Sequence, residues 1–268
     1  TIKPGKYLIS EGMNNNELVN LLRSGKQIPV KVSFNNQDTF QKLAGRISQQ
    51  IEADSISLLN SFNNQEFIQQ NGFNQYTAIG MYIPNTYEFF WNTSADAFVK
   101  KMLQEYKIFW NTSRLEKAKN QQLSPIEVMN LASIVQKETA MVSERPMVAG
   151  LYLNRLHNNW PLQADPTVIF ALKSKLGEDK IIKRVLKKDL EIASPYNTYK
   201  NIGLPPGPIT MPDITSVEAV LNAKQHDYYY MCASITKIGE HEFAKTLSQH
   251  NRNAVKYQNW LNKQAVNR

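Results

Sequence analysis

The sequence predicts an α+β fold in two parts. Two patterns carry that expectation. The first quarter alternates short strands with helices, and the C-terminal half strings helices together before a late apolar strand and a closing helix. At 268 residues the chain has room for two modest domains, and 42% apolar with 20% charged residues is ordinary globular composition.

In chain order, Lys6-Tyr7-Leu8-Ile9 reads as a strand. Residues 14–23 read as a helix carrying Leu18, Val19, Leu21 and Leu22, stopped by Gly25. Val30-Lys31-Val32-Ser33-Phe34 alternates apolar and polar side chains, the period of a half-buried strand. Residues 39–51 place Phe40, Leu43, Ala44 and Ile47 at helical spacing, and 55–62 and 65–69 read as two further helical stretches. A polar break at 71–75 containing Gly72 sets a soft boundary, giving regions 1–78 and 79–268.

The second region opens on residues 81–90, an aromatic strand interrupted by Pro84 and so expected at an edge or a bend. The string Phe-Trp-Asn-Thr-Ser occurs at 90–94 and 109–113, but nothing around it repeats, so it marks no structural repeat. A loop rich in Pro and Gly covers 194–212; then come the apolar strand Tyr228-Tyr229-Tyr230-Met231-Cys232-Ala233 and a helix over 245–264.

A net charge of +8 favours anionic partners. The basic residues are scattered except for Lys180, Lys183, Arg184, Lys187 and Lys188, which read as a solvated helix face. No nucleic-acid-binding motif accompanies the charge, so nucleic acid is not an expected partner. Cys232 is the only cysteine, which excludes an intramolecular disulfide and a cysteine zinc cluster. His157, His226, His241 and His250 lack metal-ligand spacing, and no phosphate-binding loop is present; neither metal nor cofactor is expected. No apolar stretch reaches the roughly 18 to 20 residues that span a bilayer, so a membrane would be reached only through an N-terminal helix absent from a chain that starts at Thr1.

The sharpest local signal is Leu123-Ser124-Pro125-Ile126-Glu127-Val128. Ser124 and Glu127 form a capping box, Pro125 takes the first helical position, and Leu123 with Val128 makes a hydrophobic staple. On that helix Val128, Leu131, Ala132, Val135 and Thr139 fall on one apolar stripe, Lys137 points the other way, and Glu138 and Gln136 flank the stripe. A carboxylate at such a margin is partly desolvated, which raises its pKa toward what a general acid needs near neutrality. Geometry alone fits equally an ordinary rim glutamate near a helix end.

Several strings extend this signal: Leu131-Ala132-Ser133-Ile134-Val135-Gln136-Lys137-Glu138-Thr139, Glu144-Arg145, Tyr152-Leu153-Asn154-Arg155-Leu156, Leu162-Gln163-Ala164-Asp165-Pro166-Thr167-Val168, Ser194-Pro195-Tyr196-Asn197-Thr198-Tyr199 and Gly203-Leu204-Pro205-Pro206-Gly207-Pro208-Ile209. Together with Ile83-Pro84-Asn85-Thr86-Tyr87, His241-Glu242-Phe243 and Ser248-Gln249-His250-Asn251, they resemble in order and spacing the endolytic murein transglycosylases of the YceG-like family, over essentially the whole chain. The resemblance implies a small LysM-like, glycan-associating domain in region 1–78 and a larger mixed α+β catalytic domain in 79–268. It implies peptidoglycan glycan strands as substrate, cell-wall synthesis enzymes as candidate partners, and a cytoplasmic-membrane anchor with the catalytic part facing the periplasm or wall. It places the catalytic glutamate at Glu138. Many relatives carry Glu-x-Glu here; this chain has Gln136 at the first position.

Lytic cleavage between N-acetylmuramic acid and N-acetylglucosamine needs one carboxyl that protonates the leaving oxygen and then takes the proton of the muramic C6 hydroxyl, leaving a 1,6-anhydro end. Asp165 is the available second carboxylate: a turn or substrate-positioning residue, or the base of a muramidase-type hydrolase. Asn154, Arg155, Gln163, Thr167, Tyr196, Asn197 and Thr198 supply the amides, hydroxyls and aromatic face a sugar cleft uses, although Asn154 and Arg155 equally suit bracing their helix. Tyr199 reads as packing. A non-catalytic peptidoglycan-binding protein is the reading outside enzymology.

Overall fold

The computed structural model describes residues 1–182 and 184–266. Its chain divides into two compact units, residues 1–109 and 110–268.

The first unit runs α1 (Asn15–Ser24), β1 (Val30–Phe34), α2 (Phe40–Ser48), α3 (Ser55–Phe62), α4 (Gln65–Gln70), a 3-10 turn (Ala78–Met81), β2 (Asn85–Phe89) and α5 (Ala95–Phe109). Its helix starts follow from short polar side chains that accept otherwise unpaired N–H groups. Asn14 and Glu17 make a capping box on α1, and Thr39, Asp54 and Asn64 cap α2, α3 and α4. Gly25 ends α1 at φ 73°, a conformation that a Cβ would strain. β1 and β2 pair antiparallel, Val30 opposite Phe89 and Phe34 opposite Asn85. The pleat buries Val32 and Phe34 while turning Lys31 and Ser33 outward. Leu43, Ile47, Leu58, Phe62, Tyr82 and Phe98 fill the core behind.

Three expectations change here. Residues 6–9 form no strand; Leu8 and Ile9 are exposed, and the segment is held by the Ile28 N–H on the Lys6 carbonyl at 2.7 Å. The break at 71–75 lies inside the first unit, because β2 must reach back to pair with β1 and α5 packs on α3. The aromatic strand at 81–90 shortens to β2, which starts just after Pro84.

The second unit contains α6 (Thr112–Asn120), α7 (Pro125–Glu138), α8 (Arg145–His157), α9 (Asp165–Leu176), a 3-10 turn (Lys187–Glu191), α10 (Ile214–Leu221), β3 (Tyr230–Ala233), β4 (His241–Ala244) and α11 (Leu247–Val266). α7 is its centre: every residue from Val128 to Val135 is buried, against α6, α8, α9 and α10. The single apolar stripe read from sequence is therefore too narrow. Asn130 and Ser133 enter the core by hydrogen bonding, Asn130 to the Pro205 carbonyl at 2.6 Å and Ser133 as acceptor of the Ile209 N–H at 3.0 Å, which fixes the Pro/Gly-rich loop on α7.

β3 and β4 form an antiparallel hairpin with Ala233 opposite His241. The segment leading into β3 lies along one face of α8. The Lys224 N–H meets the Pro146 carbonyl at 3.0 Å, and His226 Nε2 lies 2.9 Å from the Met147 carbonyl. Asn154 donates to the carbonyls of His226 and Tyr228, and Arg155 to that of Tyr229. Gly150 sits between these contacts because an added Cβ would stand 2.2 Å from the Lys224 carbonyl oxygen.

The basic cluster is not a helix face. Lys180 and Arg184 are exposed on irregular chain and Lys187 and Lys188 on the 3-10 turn; Lys183 lies outside the described residues. Among the described residues no helix is long and apolar enough to cross a membrane.

Candidate active site

The capping box predicted for α7 is present. Ser124 accepts the Glu127 N–H, and the Glu127 carboxylate accepts the Ser124 N–H at 2.8 Å. From that start the helix runs 14 residues to Glu138, and Thr139 ends it by turning to extended backbone at φ −135°, ψ 133°. Lys137 points to solvent and Glu138 is half-buried.

The Tyr152 hydroxyl, from α8, donates to Glu138 Oε2 at 3.0 Å. Burial drives the Glu138 carboxyl above its ordinary value, because protein surrounds the carboxylate even though part of the side chain remains open to solvent. The Tyr152 hydrogen bond and the charges of His241 and Arg155 act the other way, and Asp165 adds to the rise. Burial, together with the charge of Glu138, lifts the Tyr152 phenol well above its ordinary range, so it stays a donor at neutral pH. An acid that keeps its proton to higher pH than an ordinary carboxyl, beside a fixed donor that steadies its ionised form, suits proton transfer in both directions.

Asp165 is the exposed first residue of α9 rather than a turn residue, and its Oδ1 accepts the Tyr199 hydroxyl at 2.6 Å. Tyr199, read from sequence as packing, is thus a polar neighbour of this carboxylate. Gln163 is exposed two residues earlier at φ 51°, rare for a residue with a side chain, with its N–H on the Thr198 carbonyl at 3.0 Å.

The remaining expected lining residues are occupied within the protein. Thr198 Oγ1 accepts the Ala164 N–H at 3.0 Å and lies 2.8 Å from Thr167 Oγ1; both threonines are buried. Asn197 donates to the carbonyls of Leu190 and Ile192, and Tyr196 packs on Phe170 with ring centroids 4.6 Å apart. These four residues clamp the loop that carries Tyr199 onto the start of α9. Asn154 and Arg155 brace the chain entering β3. Arg155 is 7% exposed, with Nε and one terminal nitrogen on the Tyr229 carbonyl and the other on that of Leu162. Of the residues expected to line a cleft, Gln163 and Asp165 remain exposed.

Gln136 has a different task from Glu138. Its Oε1 accepts the Asp213 N–H and, at 3.2 Å, the Ser216 hydroxyl, which ties α7 to the start of α10. Gln136 therefore lies at a packing contact, and Glu138 supplies the carboxylate at this end of the helix.

The profile of the YceG-like family matches residues 1–256. The chain belongs to the YceG-like family. Among relatives, it is 32% identical over 269 residues to an endolytic murein transglycosylase of Bacillus subtilis (strain 168), covering 94% of this chain and 72% of that one. An endolytic murein transglycosylase of Streptococcus pneumoniae (strain D39) is 27% identical over 287 residues; the match covers 96% of this chain but only 51% of the pneumococcal one, about half its length. A crystal structure of a YceG-like protein from Listeria monocytogenes superposes with a TM-score of 0.70 at 30% identity, covering 92% of this chain and 84% of that one. The YceG-like family thus carries the mixed architecture of helices and two small sheets seen here.

Proposed function

We propose that this YceG-like chain is an endolytic murein transglycosylase, a lyase that cuts the bond between N-acetylmuramic acid and N-acetylglucosamine within peptidoglycan strands. The observation that carries the reading is the Glu138 carboxyl, half-buried at the end of α7, raised by burial and held by Tyr152. In the first step the protonated Glu138 gives its proton to the glycosidic oxygen as the bond from C1 breaks. In the second the muramic C6 hydroxyl attacks C1 of its own sugar and its proton returns to Glu138. Water is not consumed, the product is a 1,6-anhydro end, and the enzyme regains its starting protonation state. In the same reading the N-terminal region associates with glycan in a LysM-like manner, and the chain works at the wall-facing side of the cytoplasmic membrane.

One observation favours a second reading: Asp165 is a carboxylate whose charge reaches Glu138. As the base of a muramidase-type hydrolase it would activate water, and the product would gain that water. Mass spectrometry of digested glycan separates the two. Products lighter by about 18 Da than the hydrolytic ones support the lytic reading, and fully hydrated reducing ends would sink it.

A further inference from the structure

The cations between α9 and the second 3-10 turn share an exposed loop with apolar side chains. α9 ends at Gly177, whose φ of 107° suits a residue without a Cβ, and the described chain then forms neither helix nor strand until the 3-10 turn at Lys187. That turn packs on α9, so the loop leaves the second unit and returns to the same place. Each end is tied locally: the Lys180 N–H meets the Gly177 carbonyl at 3.1 Å, and the Leu186 N–H meets Asp189 Oδ2 at 2.8 Å.

Charge gathers here. Lys173, Lys175, Lys180, Arg184, Lys187 and Lys188 outnumber Glu178 and Asp179, a net of +4 among the described residues against +8 for the whole chain. None of these cations forms an ion pair with a described residue, whereas Lys200 beyond the turn pairs with Glu191 at 2.6 Å. Interleaved with them, Ile181 is 83% exposed, Leu176 54% and Leu186 48%. Each of the three adjoins a cation in sequence, as Lys175-Leu176, Lys180-Ile181 and Leu186-Lys187. Scattered exposed apolar residues are ordinary, but a cation beside each of three on one loop matches a surface with negative charge outside and an apolar layer beneath. A soluble phosphate polymer binds the cations alone and leaves the apolar side chains in water.

We propose that this loop docks the second unit on an anionic lipid bilayer: its cations meet phospholipid headgroups, while Ile181, with Leu176 and Leu186, enters the boundary between headgroups and acyl chains. Such an element lies on a membrane and does not cross it. The inference goes beyond glycan cleavage and does not depend on it.

The test is sedimentation of the 268-residue chain with sucrose-loaded vesicles. Vesicles of equal parts phosphatidylglycerol and phosphatidylcholine are expected to bind it at least about 10-fold more tightly than phosphatidylcholine alone, and added salt is expected to weaken that binding. Ile181→Ser keeps every charge and is expected to weaken partitioning roughly 5-fold. Lys180→Gln combined with Arg184→Gln is expected to weaken it roughly 25-fold, at about 5-fold for each charge near the surface. All three side chains are exposed, so these variants are expected to keep the parent's Tm and circular dichroism spectrum. Failure of the parent to bind anionic vesicles overturns the proposal, as does binding that the double variant leaves unchanged. Vesicle binding indifferent to Ile181→Ser, with equally tight binding to soluble polyphosphate, also overturns it and assigns the loop to a phosphate polymer.

Discussion

Tyr152 donates its hydroxyl to Glu138 Oε2 across 3.0 Å, joining the middle of α8 to the last residue of α7. The bond favours the ionised carboxylate, while burial opposes it more strongly. Tyr152→Phe removes the donor and keeps the ring in its buried seat. The Glu138 carboxyl is then expected to rise further, moving the alkaline limb of kcat/KM to higher pH, and kcat is expected to fall by roughly 10-fold, as for loss of a hydrogen bond to a charged group worth about 1.5 kcal/mol. A pH–rate profile against the parent enzyme checks both.

Asp165→Asn shifts the same limb in the opposite direction. The negative charge of Asp165 raises the Glu138 carboxyl, so its removal lowers that carboxyl and brings the alkaline limb to lower pH. A limb that did not move would place Asp165 outside the electrostatic reach of Glu138.

The raised Glu138 carboxyl also affects stability. A carboxyl raised by folding contributes stability fully present below its ordinary value of 4.5, which is lost as pH climbs through the folded value. Glu138→Gln removes that loss and can still accept from Tyr152. The variant is expected to melt a few degrees above the parent at pH 8, with the advantage shrinking toward pH 4. Calorimetry across that range measures it, and a variant less stable at pH 8 would contradict the burial argument.

Gly150→Ala tests how the hairpin is carried. The new Cβ would stand 2.2 Å from the Lys224 carbonyl and 2.8 Å from His226 Nε2. Helix propensity alone would favour Ala by about 1 kcal/mol. The clash is expected to reverse that sign and destabilise by roughly 1–3 kcal/mol, read as a lower denaturation midpoint with unchanged m.

These relationships divide between what sequence shows and what it hides. The start of α7 is legible because a capping box, an N1 proline and a staple are local devices, and the position of Glu138 follows by counting along the helix. α1, α2 and β1 are legible for the same reason: their caps and periodicities lie within a few residues. Residues 6–9 have strand composition but find no partner, since pairing is a tertiary event. Tyr152, Tyr199 and His241 reach the acids only through helix packing and a hairpin, across separations of 14, 34 and 97 residues in the hydrogen bonds to Glu138, Asp165 and Glu144, where no local pattern operates. Conversely, Asn154, Arg155, Thr167, Asn197 and Thr198 have the side chains of a sugar cleft, but buried backbone groups claim them first.

The central claim is that Glu138 carries the proton in both steps. It is tested most directly by incubating purified peptidoglycan with Glu138→Gln, after circular dichroism has shown the fold intact, and quantifying anhydro-ended fragments by mass spectrometry. The expected result is a loss of about 10²–10⁴-fold in their rate of formation, the usual contribution of a positioned acid/base. Anhydro products forming within twofold of the parent rate would contradict the assignment of Glu138.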